Sequence, residues 1–92
     1  MLQGKTALVT GSTSGIGLGI AQALAKDGAN IILNGLGNAG EIEKIRAAIE
    51  ADYKVKALYH GADMTRPDQI RDMCAKGVEA FGAIDILVNN AG

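Results

Sequence analysis

"VTGSTSGIG", residues 9–17, decides how the rest of the chain is read. An apolar run over residues 6–10 leads into it, and an amphipathic stretch over residues 15–27 leaves it. A chain that passes directly from strand to helix in this way needs glycine for three separate reasons. Gly11 permits the sharp turn off the strand, Gly15 removes bulk where a pyrophosphate would approach the main chain, and Gly17 lets the helix lie close to the sheet. The first turn of the helix offers unpaired N–H groups and the positive end of its dipole, which suits an anion. Ser12, Thr13 and Ser14 add hydroxyl donors without adding charge. Nucleotide binding is therefore the expected role of the loop, with a purely structural turn as the alternative.

Working outward, β-leaning runs occupy residues 6–10, 30–34, 55–60 and 84–89, and helical patterns fall between them at 15–27, 41–53 and 67–81. The first helix is expected to bury Ile16, Ile20, Ala23 and Leu24, the second Ile42, Ile45 and Ile49, and the third Ile70, Cys74, Val78 and Phe81. Gly28 and Gly82 supply helix stops. Thr65 is placed to cap the third helix, with Asp68 as its capping-box partner and Pro67 in the tolerant first turn. The order β-α-β-α-β-α-β implies a parallel α/β sheet with right-handed crossovers. Residues 1–92 thus read as one unit, the first portion of a doubly wound, Rossmann-type fold with strand order 3-2-1-4. In that order the first and last strands are neighbours, and their C-terminal ends flank the switch point where such sheets bind ligands.

Composition narrows the function classes. Nine basic and ten acidic residues give a net charge of −1 with no dense basic run, so neither nucleic acid nor an anionic membrane surface is an expected partner. The opening "MLQGKTALVT" has no basic segment followed by a long apolar one, and no stretch has the length of a membrane span. With a single cysteine, Cys74, a reducing cytoplasmic setting is expected, and with a single histidine, His60, no metal centre is. Cys74 reads as a small buried hydrophobe, His60 as a structural strand-end residue, and the charges around Lys44, Arg46 and Glu50 as a solvated helix face. "GKT" at residues 4–6 has no upstream glycine to make a phosphate-binding P-loop. "GSTSG" carries Thr13 where a nucleophile elbow carries serine.

Two motifs taken together point further. Thr10-Gly11-x-x-x-Gly15-Ile16-Gly17, followed by Asn89-Asn90-Ala91-Gly92 after the fourth strand, resembles the short-chain dehydrogenase/reductase family of NAD- or NADP-dependent oxidoreductases. "GKTALVTGSTSGIGLGIA", "ILNGLGNAGEIEKIR" and "GADM" are similar to the members that oxidise 3-hydroxybutyrate. The resemblance implies that Gly11, Thr13, Ser14, Gly15, Ile16 and Gly17 line the pyrophosphate and ribose. It places Asp63 on the adenine amino group, with Met64 beside it. Asn90, Ala91 and Gly92 would pass beneath the adenosine ribose towards the nicotinamide. Asp85 in "IDILVNN" is expected to be structural. At the end of the second strand, an acid would bind the ribose hydroxyls of NAD and a base would accommodate the phosphate of NADP. Asn34-Gly35-Leu36-Gly37 supplies neither; the missing cation favours NAD, with Leu36 packing on the adenine.

The same resemblance calls for a tyrosine acid/base with a lysine four residues later, and for a serine that positions the substrate carbonyl. Tyr53 is followed at that spacing by Ala57 and Tyr59 by Asp63, and both serines belong to the glycine loop. No catalytic residue is therefore expected within residues 1–92, and the reaction on a small hydroxy acid belongs to a complete enzyme, expected to be a homo-oligomer. A catalytically empty nucleotide-binding or interaction module is the alternative. A methyltransferase fits less well with the uncharged loop and the closing "NNAG". Taken alone, the 92 residues are expected to expose apolar surface and a strand edge and to be prone to aggregate.

Overall fold

A computed structural model describes residues 1–91. Its elements are β1 (Thr6–Val9), α1 (Gly15–Lys26), β2 (Asn30–Leu33), α2 (Ala39–Tyr53), β3 (Ala57–Tyr59), α3 (Pro67–Phe81) and β4 (Ile86–Val88). All pairings are parallel and the strand order is β3-β2-β1-β4, the expected 3-2-1-4. Ala7 stands level with Ile31 on one side and Ile86 on the other. The two central strands are apolar without interruption because helices cover both of their faces. Ala7, Val9, Ile31 and Leu33 point to α1 and α2, while Leu8 and Ile32 point to the α3 side, where Met73 meets them.

Each strand is shorter than its apolar run, because the flanking polar residues take side-chain roles. Asn30 Oδ1 receives Lys56 N at 2.9 Å, so β3 starts only at Ala57. The Asp85 carboxylate receives Thr6 N at 2.9 Å and its own N–H donates to Thr6 O, which makes Asp85 the structural residue expected. α2 begins earlier than its periodicity suggested, because Asn38 caps it by accepting Glu41 N at 3.1 Å. Ile42 and Ile49 of that helix are buried as expected.

Two expected helix faces are corrected. α1 buries Gly17, Ala21 and Ala25, while Ile16 is 78% exposed and Ala23 also faces solvent. The stripe is turned by one residue because small side chains, not the largest, let α1 approach the sheet; Leu18, Ile20 and Leu24 flank the contact. α3 likewise buries Met73 and Gly77, leaving Val78 exposed and Ile70, Cys74 and Phe81 at the margin. A methyl on Gly77 would strike Ile32, so glycine sets how closely α3 packs. Thr65 does not cap α3. Arg66 occupies the cap position without a side-chain bond, and Thr65 instead gives its N–H and its hydroxyl to Asp63 Oδ1, at 2.9 and 2.7 Å.

Candidate nucleotide-binding site

A cleft of about 490 Å³ opens at the C-terminal ends of β1, β2 and β3. Its first wall is the glycine loop. Gly11 and Gly15 both adopt positive φ, at 62° and 59°, a conformation that side chains with a Cβ rarely accept. Beyond Gly15 lies open space, since a methyl built there would touch nothing within 4 Å. The N-terminus of α1 carries no side-chain cap, with Ser14 extended at the cap position and exposed. Its N–H groups and dipole are left to whatever enters the cleft.

The three hydroxyls of the loop divide their work. Ser12 is fully buried; its hydroxyl donates to Val9 O at 2.7 Å and receives Asn34 N at 3.0 Å, fastening the loop to β2. Thr13 lines the cleft but donates to Leu36 O at 2.9 Å, tying the glycine loop to the second wall. Only Ser14 has its hydroxyl without a partner among the described bonds.

That second wall is Asn34, Gly35 and Leu36, with the Leu36 side chain 84% exposed at the mouth. Tyr59 Oη holds it from beneath by donating to Gly35 O at 2.6 Å. The third wall is Ala62, Asp63 and Met64. Hydrogen bonds from the Thr65 hydroxyl and N–H hold the Asp63 carboxyl below the usual carboxylate range, so it is ionised at neutral pH. Asp63 N donates to Gln69 Oε1 at 2.7 Å, which anchors the same loop to α3.

The floor comes from the segment after β4. Asn90 Nδ2 donates to Gly11 O at 3.1 Å, and Ala91 N donates to the buried Thr10 hydroxyl at 3.0 Å. These bonds also refine the reason for Gly17. A methyl there would collide with Gly11 O and lie 2.6 Å from Asn90 Nδ2, so glycine is needed for the latch between the two loops as well as for packing.

Of the residues singled out in the sequence, Gly11, Thr13, Ser14, Leu36, Asp63, Met64 and Ala91 line one cleft. Gly15, Ile16 and Gly17 form the helix end beside it, Asn90 braces its floor, and Gly92 lies outside the described residues. Asn34, Thr10 and Ala62 stood within the motifs quoted from the sequence but were given no site role of their own. A polar residue ending an apolar strand was the available signal for Asn34; its partners lie too far along the chain to be foreseen.

Other groups have structural partners. His60 Nε2 lies 2.7 Å from Asp72 Oδ2 while Nδ1 accepts Ala62 N at 3.1 Å, the structural role expected. Cys74 is half-buried on α3. Arg46 is more than part of a solvated face: it pairs with Glu43 at 2.6 Å and Glu50 at 2.9 Å and also donates to Ala57 O at 3.1 Å. Among the described residues no cluster of histidine, cysteine and carboxylate side chains could hold a metal ion, and no helix is long and apolar enough to cross a membrane.

A model of the short chain dehydrogenase family matches residues 5–92. The chain belongs to the short-chain dehydrogenase family. Over its full 92 residues it is 59% identical to the D-beta-hydroxybutyrate dehydrogenase of Cupriavidus necator, of which it covers 35%. Over 88 residues, 96% of this chain, it is 54% identical to the enzyme of the same name from Rhizobium meliloti, covering 34% of that protein. The structure of L-sorbose reductase from Gluconobacter frateurii, complexed with NADPH and L-sorbose, superposes with a TM-score of 0.86 and 38% identity, over 99% of this chain and 34% of the reductase. The short-chain dehydrogenase chain described here thus spans about a third of the length of these relatives.

Proposed function

We propose that this chain is the NAD-binding part of an oxidoreductase that, when complete, transfers hydride between NAD and a small secondary alcohol such as 3-hydroxybutyrate. The observation that carries the reading is the cleft itself: an uncapped helix N-terminus behind a glycine loop, faced by Leu36 and Asp63 and floored by Ala91. Gly11, Thr13, Ser14, Gly15, Ile16 and Gly17 take the pyrophosphate and its ribose through main-chain N–H groups. Leu36 and Met64 sandwich the adenine, and the ionised Asp63 accepts from its amino group. Asn90 and Ala91 lie under the adenosine ribose and lead towards the nicotinamide; the same role expected of Gly92 falls outside the described residues. The substrate class follows the hydroxybutyrate dehydrogenases, which match the whole chain closely.

NAD is preferred over NADP because the cleft is lined by neither lysine nor arginine. A 2′-phosphate would enter beside Gly35 and Leu36 without a cation, and near the negative Asp63. When bound, NAD supplies the hydride acceptor; the residues of this chain orient it and exclude water. Proton transfer needs residues other than these. Tyr59 Oη is committed to Gly35 O, and Ala57 follows Tyr53 where a lysine is required. The complete enzyme is cytoplasmic and homo-oligomeric in this reading. A fluorescence titration with NADH and NADPH tests it. NADH should bind about ten-fold more tightly, a difference of ~1.4 kcal/mol. Tighter binding of NADPH, the cofactor found in the L-sorbose reductase complex, would reverse the cofactor assignment.

A further inference from the structure

Asn34 ends β2 at 1% exposure, and every polar atom of its side chain is engaged. Nδ2 donates to His60 O and to Ala62 O, both at 3.1 Å. Oδ1 faces Gly11 N at 3.4 Å. The two carbonyl oxygens settle which end of the amide is which, because only an NH₂ group can donate to both. Its main chain is bound as firmly: Asn34 N donates to Ser12 Oγ at 3.0 Å, and Asn34 O receives Ser12 N at 2.6 Å. One buried side chain thereby joins the glycine loop, the end of β2 and the loop after β3 that presents Asp63.

We infer that Asn34 is the positioning residue of the dinucleotide cleft, its buried amide fixing the distance between the pyrophosphate loop and the adenine-reading loop. The inference rests on the nucleotide-binding reading above. It also explains why the end of β2 carries no ribose-reading carboxylate. The side chain at this position is turned inward, and an aspartate of the same shape would face two carbonyl oxygens with a charge and no proton to donate. Burial and those acceptors both favour the neutral acid, which regains one donor when protonated.

That difference gives a readout that mere core packing does not move. Asn34→Asp and Asn34→Ala are compared with the parent protein by thermal melting and by titration with NADH and with AMP, which probes the adenosine side alone. At about pH 8, Asn34→Asp should melt cooperatively and bind both ligands at least ~10-fold more weakly. On acidification to about pH 5.5 its deficit should narrow while that of Asn34→Ala stays constant, since protonation restores a donor only in the aspartate. His60, Asp63, Asp72 and Tyr59, the titratable groups around this network, are common to all three proteins, so their contribution cancels in the comparison. Folded variants that bind as the parent does, or a deficit in Asn34→Asp that ignores pH, would overturn the assignment. Failure of both variants to fold would also overturn it, making Asn34 a core residue only. Absence of NADH binding in the parent would instead remove the nucleotide reading, and this inference with it.

Discussion

Gly17 and Gly19 stand two residues apart on α1 under different constraints. A methyl at Gly17 collides with Gly11 O and the Asn90 amide, whereas one at Gly19 meets nothing within 4 Å. Gly17→Ala should therefore abolish NADH binding and lower the melting temperature. Gly19→Ala should leave binding intact and raise stability by about 0.5–1 kcal/mol, the ordinary gain of alanine over glycine in an exposed helix, read by urea unfolding. Leu36→Arg would place a cation at the mouth beside the expected 2′-position, and a pair of titrations should show the preference moving from NADH to NADPH. The glycines were legible in the sequence because their constraint is local: a strand, a turn and a helix within nine residues. The role of Ser12 could not be read, because one of its partners, Asn34 N, depends on how β2 lies beside β1. Asn34 was silent for the same reason, since its acceptors lie at residues 60 and 62.

At the scale of elements, order, strand neighbours and the face of α2 could be read, while the faces of α1 and α3 were each off by one residue. Periodicity marks where apolar residues recur, but the closest approach to a sheet favours the smallest of them, as Ala21, Ala25 and Gly77 do here. The link between α2 and β3 was also underestimated. Arg46 donates to Ala57 O and Glu50 Oε2 accepts Ala57 N at 2.9 Å, so two side chains of one helix close the outward main-chain groups of Ala57 at the start of an edge strand. The Ala57 N–H and then Arg46 hold the Glu50 carboxyl below its ordinary value of 4.5. A carboxylate whose pKa is lower when folded stabilises the fold above its unfolded value, and that contribution is lost as pH falls through the folded one. Glu50→Gln should therefore lower the urea midpoint at neutral pH. The gap from the parent should shrink as the pH falls below 4.5. A gap that stays constant down to the acid limit would show that the carboxylate charge is not involved.

Across the whole molecule the two sheet edges differ. β3 has its outer edge capped at Ala57 by Arg46 and Glu50, whereas β4 pairs only with β1 among the described residues and carries Leu87 at 65% exposure. Leu87 adjoins an apolar hollow of about 390 Å³ shared with Met64, Met73 and Cys74. An open edge beside apolar surface favours association. The 92-residue chain by itself should therefore self-associate with rising concentration in sedimentation velocity, and Leu87→Lys should reduce this. A parent chain that stays monomeric at every concentration would contradict the account of that edge. The central claim, that one cleft at the ends of β1, β2 and β3 holds the dinucleotide, is tested most directly by hydrogen–deuterium exchange with and without saturating NADH. Protection should appear in peptides covering residues 11–17, 34–36 and 62–64, while α2 (Ala39–Tyr53) stays unchanged beyond its first turn. Protection that misses the glycine loop, or none at all under saturating NADH, would contradict it.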